Sequence, residues 1–245
     1  IIGGQECDET GHPWLALLHR SEGSTWSGVL LNRDWILTAA HCEELGPMKI
    51  CFGMKNRNVL RGDEQVKVAA VKKCYPATAG TIYNCNYVNT VLMNNDLLKR
   101  ELFPMLIKLD SSVDYNERVA PLSLPTSPAS LGAECSVLGW GTTTPDDVTL
   151  PDVPVCVNIE IFNNAVCQVA RDLWKFTNKL CAGVDFGGKD SCKGDSGGPL
   201  VCDNQLTGNV SWGFNCEQGE KYGYIKLIKF NFWIQNIIQG GTTCP

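Results

Sequence analysis

Thirteen cysteines are spread from Cys7 to Cys244, and no two of them stand in a C-x-x-C pair. That distribution argues against a structural zinc site, whose ligands come in closely spaced pairs. It predicts long-range disulfides instead, and with them an oxidising, extracellular setting. The chain as a whole reads as mostly β structure. Its short apolar or alternating runs fit that expectation: "GVLLN", "DWILTAA", "MKICFG", "QVKVAAVKK", "MLIKLD", "CSVLGWG", "VCVNIEIF", "PLVC", "TGNVSWG" and "YGYIKLIKF". Gly, Pro, Asn and Asp punctuate them, the pattern of an all-β chain. Only "NNAVCQVARDLWK" and the C-terminal "NFWIQNIIQ" have the spacing of helices. Many short strands with a terminal helix favour β-barrels or a sandwich.

The 245 residues are enough for one sizeable core or two small barrels. A net charge of −5 without Lys/Arg blocks makes nucleic acid a poor candidate partner, and none is expected. No apolar run reaches the roughly 18 to 20 residues that a membrane helix requires, so no membrane partner is expected. The chain opens on "IIGG" without an initiator Met, which reads as a cleaved, mature N-terminus.

Chemistry concentrates in "CKGDSGGPLVC", residues 192–202. Ser196 is flanked by Gly194, Gly197 and Gly198, so the backbone can turn sharply and a ligand can come close. Such a turn can also aim neighbouring N–H groups at one point, as an oxyanion hole requires. With "IIGG" at the N-terminus, "LTAAHC" at 37–42 and "GDSGGP" at 194–199, the chain resembles the trypsin/chymotrypsin-type serine peptidases over its whole length. "PLSLP", "PDVPVC" and "TTCP" resemble the reptile venom kallikrein-like branch, and the long loop in the 80s and 90s resembles its lizard-venom members.

The resemblance implies two antiparallel six-stranded β-barrels packed face to face, roughly 13–118 and 119–230, with a C-terminal helix at roughly 230–240. Ser196 would be the nucleophile and His41 the general base. Gly194 and Ser196 N–H groups would hold the oxyanion, and the Ile1 amino group would pair with buried Asp195. His12 and His19 read as surface imidazoles.

Asp190, six residues before Ser196, would form the floor of the primary pocket and select Arg or Lys, since an uncharged side chain would leave it buried and unpaired. Ser191 adds a polar contact there, Gly213 and Gly223 keep the walls open, and Ser211-Trp212-Gly213 offers a backbone edge to the substrate. Asn209-Val210-Ser211 fits a glycosylation pattern but lies inside that strand, and is read as buried. The loop "GMKNRNVLRGDEQ" keeps only Glu64 of the carboxylates that calcium-binding relatives use, so no calcium and no other cofactor is expected.

By the same resemblance Cys7 pairs with Cys156, Cys74 with Cys244, Cys135 with Cys202, Cys167 with Cys181, and Cys192 with Cys216. Cys42, Cys51 and Cys85 are left over. Trp26 or Ser27 stands where the usual partner of Cys42 should be.

The triad carboxylate has two registers. Counting back from the strand "MLIKLD" puts Phe103 in its place, which cannot accept an N–H bond. "NNDLLK" supplies Asp96 instead, at the cost of an insertion, "KRELFP", before the strand resumes. Asp96 is the preferred reading. The expected activity is a secreted, monomeric endopeptidase that cuts after Arg/Lys, a kallikrein-like toxin acting on plasma proteins by kinin release or fibrinogen cleavage. The alternative, which the Phe103 register favours, is an inactive homologue acting as a binding protein.

Overall fold

The computed structural model describes residues 1–19, 25–43, 47–74, 103–145, 149–168, 178–212, 216 and 222–240. Six strands close the first barrel: β2 (Leu15–His19), β3 (Thr25–Asn32), β4 (Trp35–Ala39), β5 (Lys49–Phe52), β6 (Gln65–Cys74) and β7 (Pro104–Leu109), in the order β2-β3-β4-β7-β6-β5. The second barrel holds β8 (Glu134–Gly139), β9 (Val155–Phe162), β10 (Lys179–Gly183), β11 (Pro199–Cys202), β12 (Gln205–Trp212) and β13 (Tyr222–Lys226). Its order is β9-β10-β13-β12-β11-β8, and β8 pairs back onto β9 to close the ring. A two-residue strand, β1 (Gln5–Glu6), extends β9. The two antiparallel six-stranded barrels expected from the motifs are present.

Alternation places the side chains. In β9, Val155, Val157, Ile159 and Ile161 point inward while Asn158 and Glu160 face water, the period-2 signature of a strand with one wet face. Asp203 and Asn204 join β11 to β12 with φ of 50° and 56°. Two consecutive left-handed residues make the tight hairpin for which Asp and Asn are suited. Each barrel has its own apolar core, and a third cluster seals the seam between them. That seam takes Leu37 and Leu106 from one side and Trp140 and Ile225 from the other. The C-terminal helix, α2 (Asn231–Ile238), adds Trp233, Ile234 and Ile237 to the seam. A shorter helix, α1 (Asn164–Gln168), follows β9.

Four of the expected disulfides are formed: Cys7–Cys156, Cys135–Cys202, Cys167–Cys181 and Cys192–Cys216. The Cys74–Cys244 pair and Cys85 lie outside the described side chains. Cys42 and Cys51 are free and buried. Ser27 is fully buried where a partner for Cys42 was expected. Burial pushes the Cys42 thiol up to about 12, so it is an inert packing group at neutral pH.

Candidate active site

His41 sits in a 3₁₀ turn, Ala40–Cys42, that continues β4 at the mouth of the first barrel. Pairing of β4 with β7 sets Thr38 opposite Met105 and Ala39 opposite Pro104. The Ala40 N–H then donates to the Phe103 carbonyl at 3.0 Å. Phe103 therefore occupies the position immediately before the strand, and its ring packs edge-on against Phe230 at 6.1 Å. Asp96 lies outside the described residues. The His41 ring meets Trp26 edge-on at 6.4 Å, and its Nδ1 is buried without a hydrogen-bond partner among the described residues. Burial, reinforced by the nearby Lys179 charge, pulls the imidazole from about 6.5 down to about 4.

This shift has a sign for stability. The unfolded chain binds a proton on His41 that the folded chain refuses, so stability falls as pH drops through the window from about 6.5 to about 4.

The second barrel supplies the loop that carries Ser196, between the disulfide-bonded Cys192 and β11. Gly194 and Gly197 have φ of 95° and 79°, values that an L side chain rarely adopts. A Cβ on Gly197 would lie 2.0 Å from Thr38 Oγ1 and 2.2 Å from the Ser27 carbonyl, so glycine is required where the loop touches the first barrel. The loop is tied down on both sides. Ser27 N–H donates to the Ser196 carbonyl at 2.9 Å, and Gly197 N–H to the Val210 carbonyl at 2.7 Å. Asn209, fully buried, donates its side-chain amide to the Gly197 carbonyl at 2.8 Å. It is thus a structural amide, closed to a glycan.

The N–H groups of Asp195, Gly197 and Gly198 are all taken. Those of Gly194 and Ser196 have no protein acceptor among the described residues. Two free donors flanking a partly exposed serine are what a developing oxyanion needs.

Asp195 points away from Ser196 into the protein. Its carboxylate accepts from the Ile1 ammonium at 2.7 Å and from Gly141 N–H and Cys192 N–H, each at 2.8 Å. The ammonium also donates to the Thr142 carbonyl at 2.8 Å. Ile1 and Asp195 are both 0% exposed. A buried ion pair survives only when its remaining donors and acceptors are matched, as they are here. Asp195→Asn leaves the ammonium without its counter-charge, and is expected to cost about 3–5 kcal/mol of stability, read as a lower denaturant midpoint.

Asp190 is 7% exposed, and its backbone exchanges two hydrogen bonds with Ile2, at 2.8 and 3.1 Å. Ser191 is also buried, and the Tyr224 phenol is driven well above its ordinary range by burial and by the Asp190 charge. Gly223 stands between β10 and β12, opposite Cys181 and Trp212. Gly213 lies outside the described residues. Glu64, in the loop read for calcium, accepts from the Arg61 and Gly62 N–H groups, and its carboxylate closes its own turn.

Sequence reasoning missed Lys179, which opens the wholly buried β10, and the roles of Gly139 and Gly141, where any Cβ would strike Asp195.

A family model described as Trypsin matches residues 1–234. "Serine protease harobin" of Hydrophis hardwickii is 45% identical over 249 residues, covering 100% of this chain and 88% of that protein. "Snake venom serine protease NaSP" of Naja atra is 46% identical over 242 residues, with 98% and 80% covered. "Alpha- and beta-fibrinogenase OhS1" of Ophiophagus hannah is 45% identical over 249 residues, with 100% and 89% covered.

Proposed function

The chain belongs to the trypsin family of serine proteases, and from that premise we propose that it is a secreted venom endopeptidase that cleaves plasma proteins after Arg or Lys. The observation that carries the specificity is the buried Asp190 beside Ser191, fixed by its backbone to Ile2. A carboxylate held there is matched by a guanidinium or ammonium and left unpaired by an apolar side chain. The name of the relative from Ophiophagus hannah makes fibrinogen a candidate substrate. Kinin release is the second candidate.

Ser196 Oγ attacks the scissile carbonyl while His41 takes its proton, and the Gly194 and Ser196 N–H groups hold the resulting oxyanion. As the C–N bond breaks, His41 gives the proton to the leaving amine, and an acyl-enzyme remains on Ser196. Water then attacks the ester with His41 again as base, releasing the acid and restoring Ser196. Asp96 supplies the acceptor that the buried Nδ1 of His41 calls for, fixing the tautomer and balancing the imidazolium. The Ile1–Asp195 pair holds the loop in the active form.

A second reading has one observation behind it. Phe103 fills the strand register of the triad carboxylate, as in a catalytically weak or inactive homologue that binds proteins through the same cleft. Fluorophosphonate labelling together with hydrolysis of peptide amides bearing Arg, Lys or Phe at P1 separates the two. Labelling at Ser196 with Arg and Lys turned over far faster than Phe is the expected result. A folded sample that takes no label would sink the enzyme reading.

A further inference from the structure

The loop between β5 and β6 carries Arg61-Gly62-Asp63, a guanidinium and a carboxylate on either side of one glycine. The base of the loop is anchored on the other barrel's side of the molecule. Arg57 N–H donates to the Asp152 carbonyl at 2.8 Å, and Asn58 donates its side-chain amide to the Asp152 carboxylate at 2.7 Å. At the tip, the Glu64 carboxylate accepts from Arg61 N–H at 2.8 Å and from Gly62 N–H at 2.9 Å. Gly62 has a φ of 96°, and a Cβ built there would meet nothing within 4 Å. The turn is held in shape and stands clear of the protein.

Both charges reach solvent. The Arg61 side chain is 45% exposed and that of Asp63 is 59% exposed. Among the described residues Arg61 donates to Glu9 at 2.5 Å, and Arg118 pairs with Asp63. Exposed ion pairs of this kind hold weakly, so both heads can be traded to an outside partner. Leu60, 64% exposed, adds an apolar contact beside them. Ser196 lies on the second barrel's loop, so the tip is no part of the site described above.

We propose that this tip is a docking site for a cell-surface receptor that reads Arg-Gly-Asp through an acidic cleft beside a bound divalent cation. The chemistry selects both halves of the partner. A guanidinium is matched by carboxylates that take its fork of N–H donors. Asp63 carries a hard oxygen ligand on a short stem, the donor that completes the shell of a Mg²⁺ or Ca²⁺ held with an open position. A turn already closed by Glu64 loses little freedom on docking. A disulfide-bonded chain in an extracellular setting is placed to meet such a receptor. The site is independent of the protease reading, since an active or an inactive chain would be brought to the same surface.

The test uses the whole chain carrying Ser196→Ala, so that no receptor is cut during the measurement. The protein is immobilised, and a purified adhesion receptor that takes linear Arg-Gly-Asp peptides is passed over it in Mg²⁺. Saturable binding is expected, abolished by EDTA and competed by an Arg-Gly-Asp peptide but not by an Arg-Gly-Glu peptide. Asp63→Ala and Arg61→Ala should each weaken it at least about tenfold, the loss of a charge-assisted contact. Asp63→Glu keeps the charge and should weaken it too, because the longer stem misplaces the oxygens. Arg118→Gln frees Asp63 and should leave binding equal or tighter. Melting temperatures report whether each variant is folded, and the peptide competition needs no variant at all. No binding in Mg²⁺, or binding that survives EDTA or Asp63→Ala, overturns the proposal. Survival of EDTA with loss in Arg61→Ala would mark an acidic protein surface as the partner instead.

Discussion

Ser196→Ala is expected to lower turnover of an Arg amide by about six orders of magnitude, the loss found when a nucleophile that works as one unit with its base is removed. The fold should survive. The Ser196 backbone carries the structural contact, accepting from Ser27 N–H, and its φ is not left-handed. Binding of benzamidine, an uncleavable arginine analogue, should persist because Asp190 and its bridge to Ile2 are untouched. Loss of turnover with retained benzamidine binding and an unchanged melting temperature would assign the chemistry to the hydroxyl alone. Turnover near wild type would remove Ser196 from the reaction, whatever the family resemblance implies.

Asp96→Asn is the second large effect, about 10⁴-fold in kcat, the loss seen when the triad carboxylate of a related protease becomes an amide. That corresponds to about 5.5 kcal/mol of barrier. The amide can offer an N–H to Nδ1 and stabilise the wrong tautomer, and it carries no charge to balance the imidazolium. The demand for such a group is visible at His41, whose Nδ1 is buried with no acceptor among the described residues. Benzamidine affinity should again be unchanged. If Asp96→Asn turns over as fast as wild type, Asp96 leaves the triad and His41 must work with some other acceptor, or alone.

How much of this could be read beforehand depended on how tightly chemistry constrains each segment. Gly194 and Gly197 announced themselves because their φ values and the crowding at Gly197 leave no other residue a place. β9 was legible from its strict alternation. β10 did not stand out as a strand, since all five of its residues are buried and no alternation marks it. The two residues of β1 were too few to make a pattern. "YGYIKLIKF" read as one strand, yet β13 stops at Lys226 and the chain turns through a 3₁₀ segment, Leu227–Lys229. An apolar run by itself does not fix where the ladder ends. Counting back from "MLIKLD" put Phe103 directly before the strand, and the pairing of Ala39 with Pro104 places it there too. Lys179 was invisible because a lysine at a strand end normally faces water.

The two hydrogen bonds between Ile2 and Asp190 make the amino terminus a tethered ligand of its own protein. Residue 1 pairs with Asp195, and residue 2 grips the backbone of Asp190, the proposed pocket floor. Occupancy of one is then coupled to occupancy of the other, and such coupling is reciprocal. If Asp190 takes a P1 cation as proposed, the bound cation would hold the terminus in. A terminus that slips out takes the shape of the pocket with it.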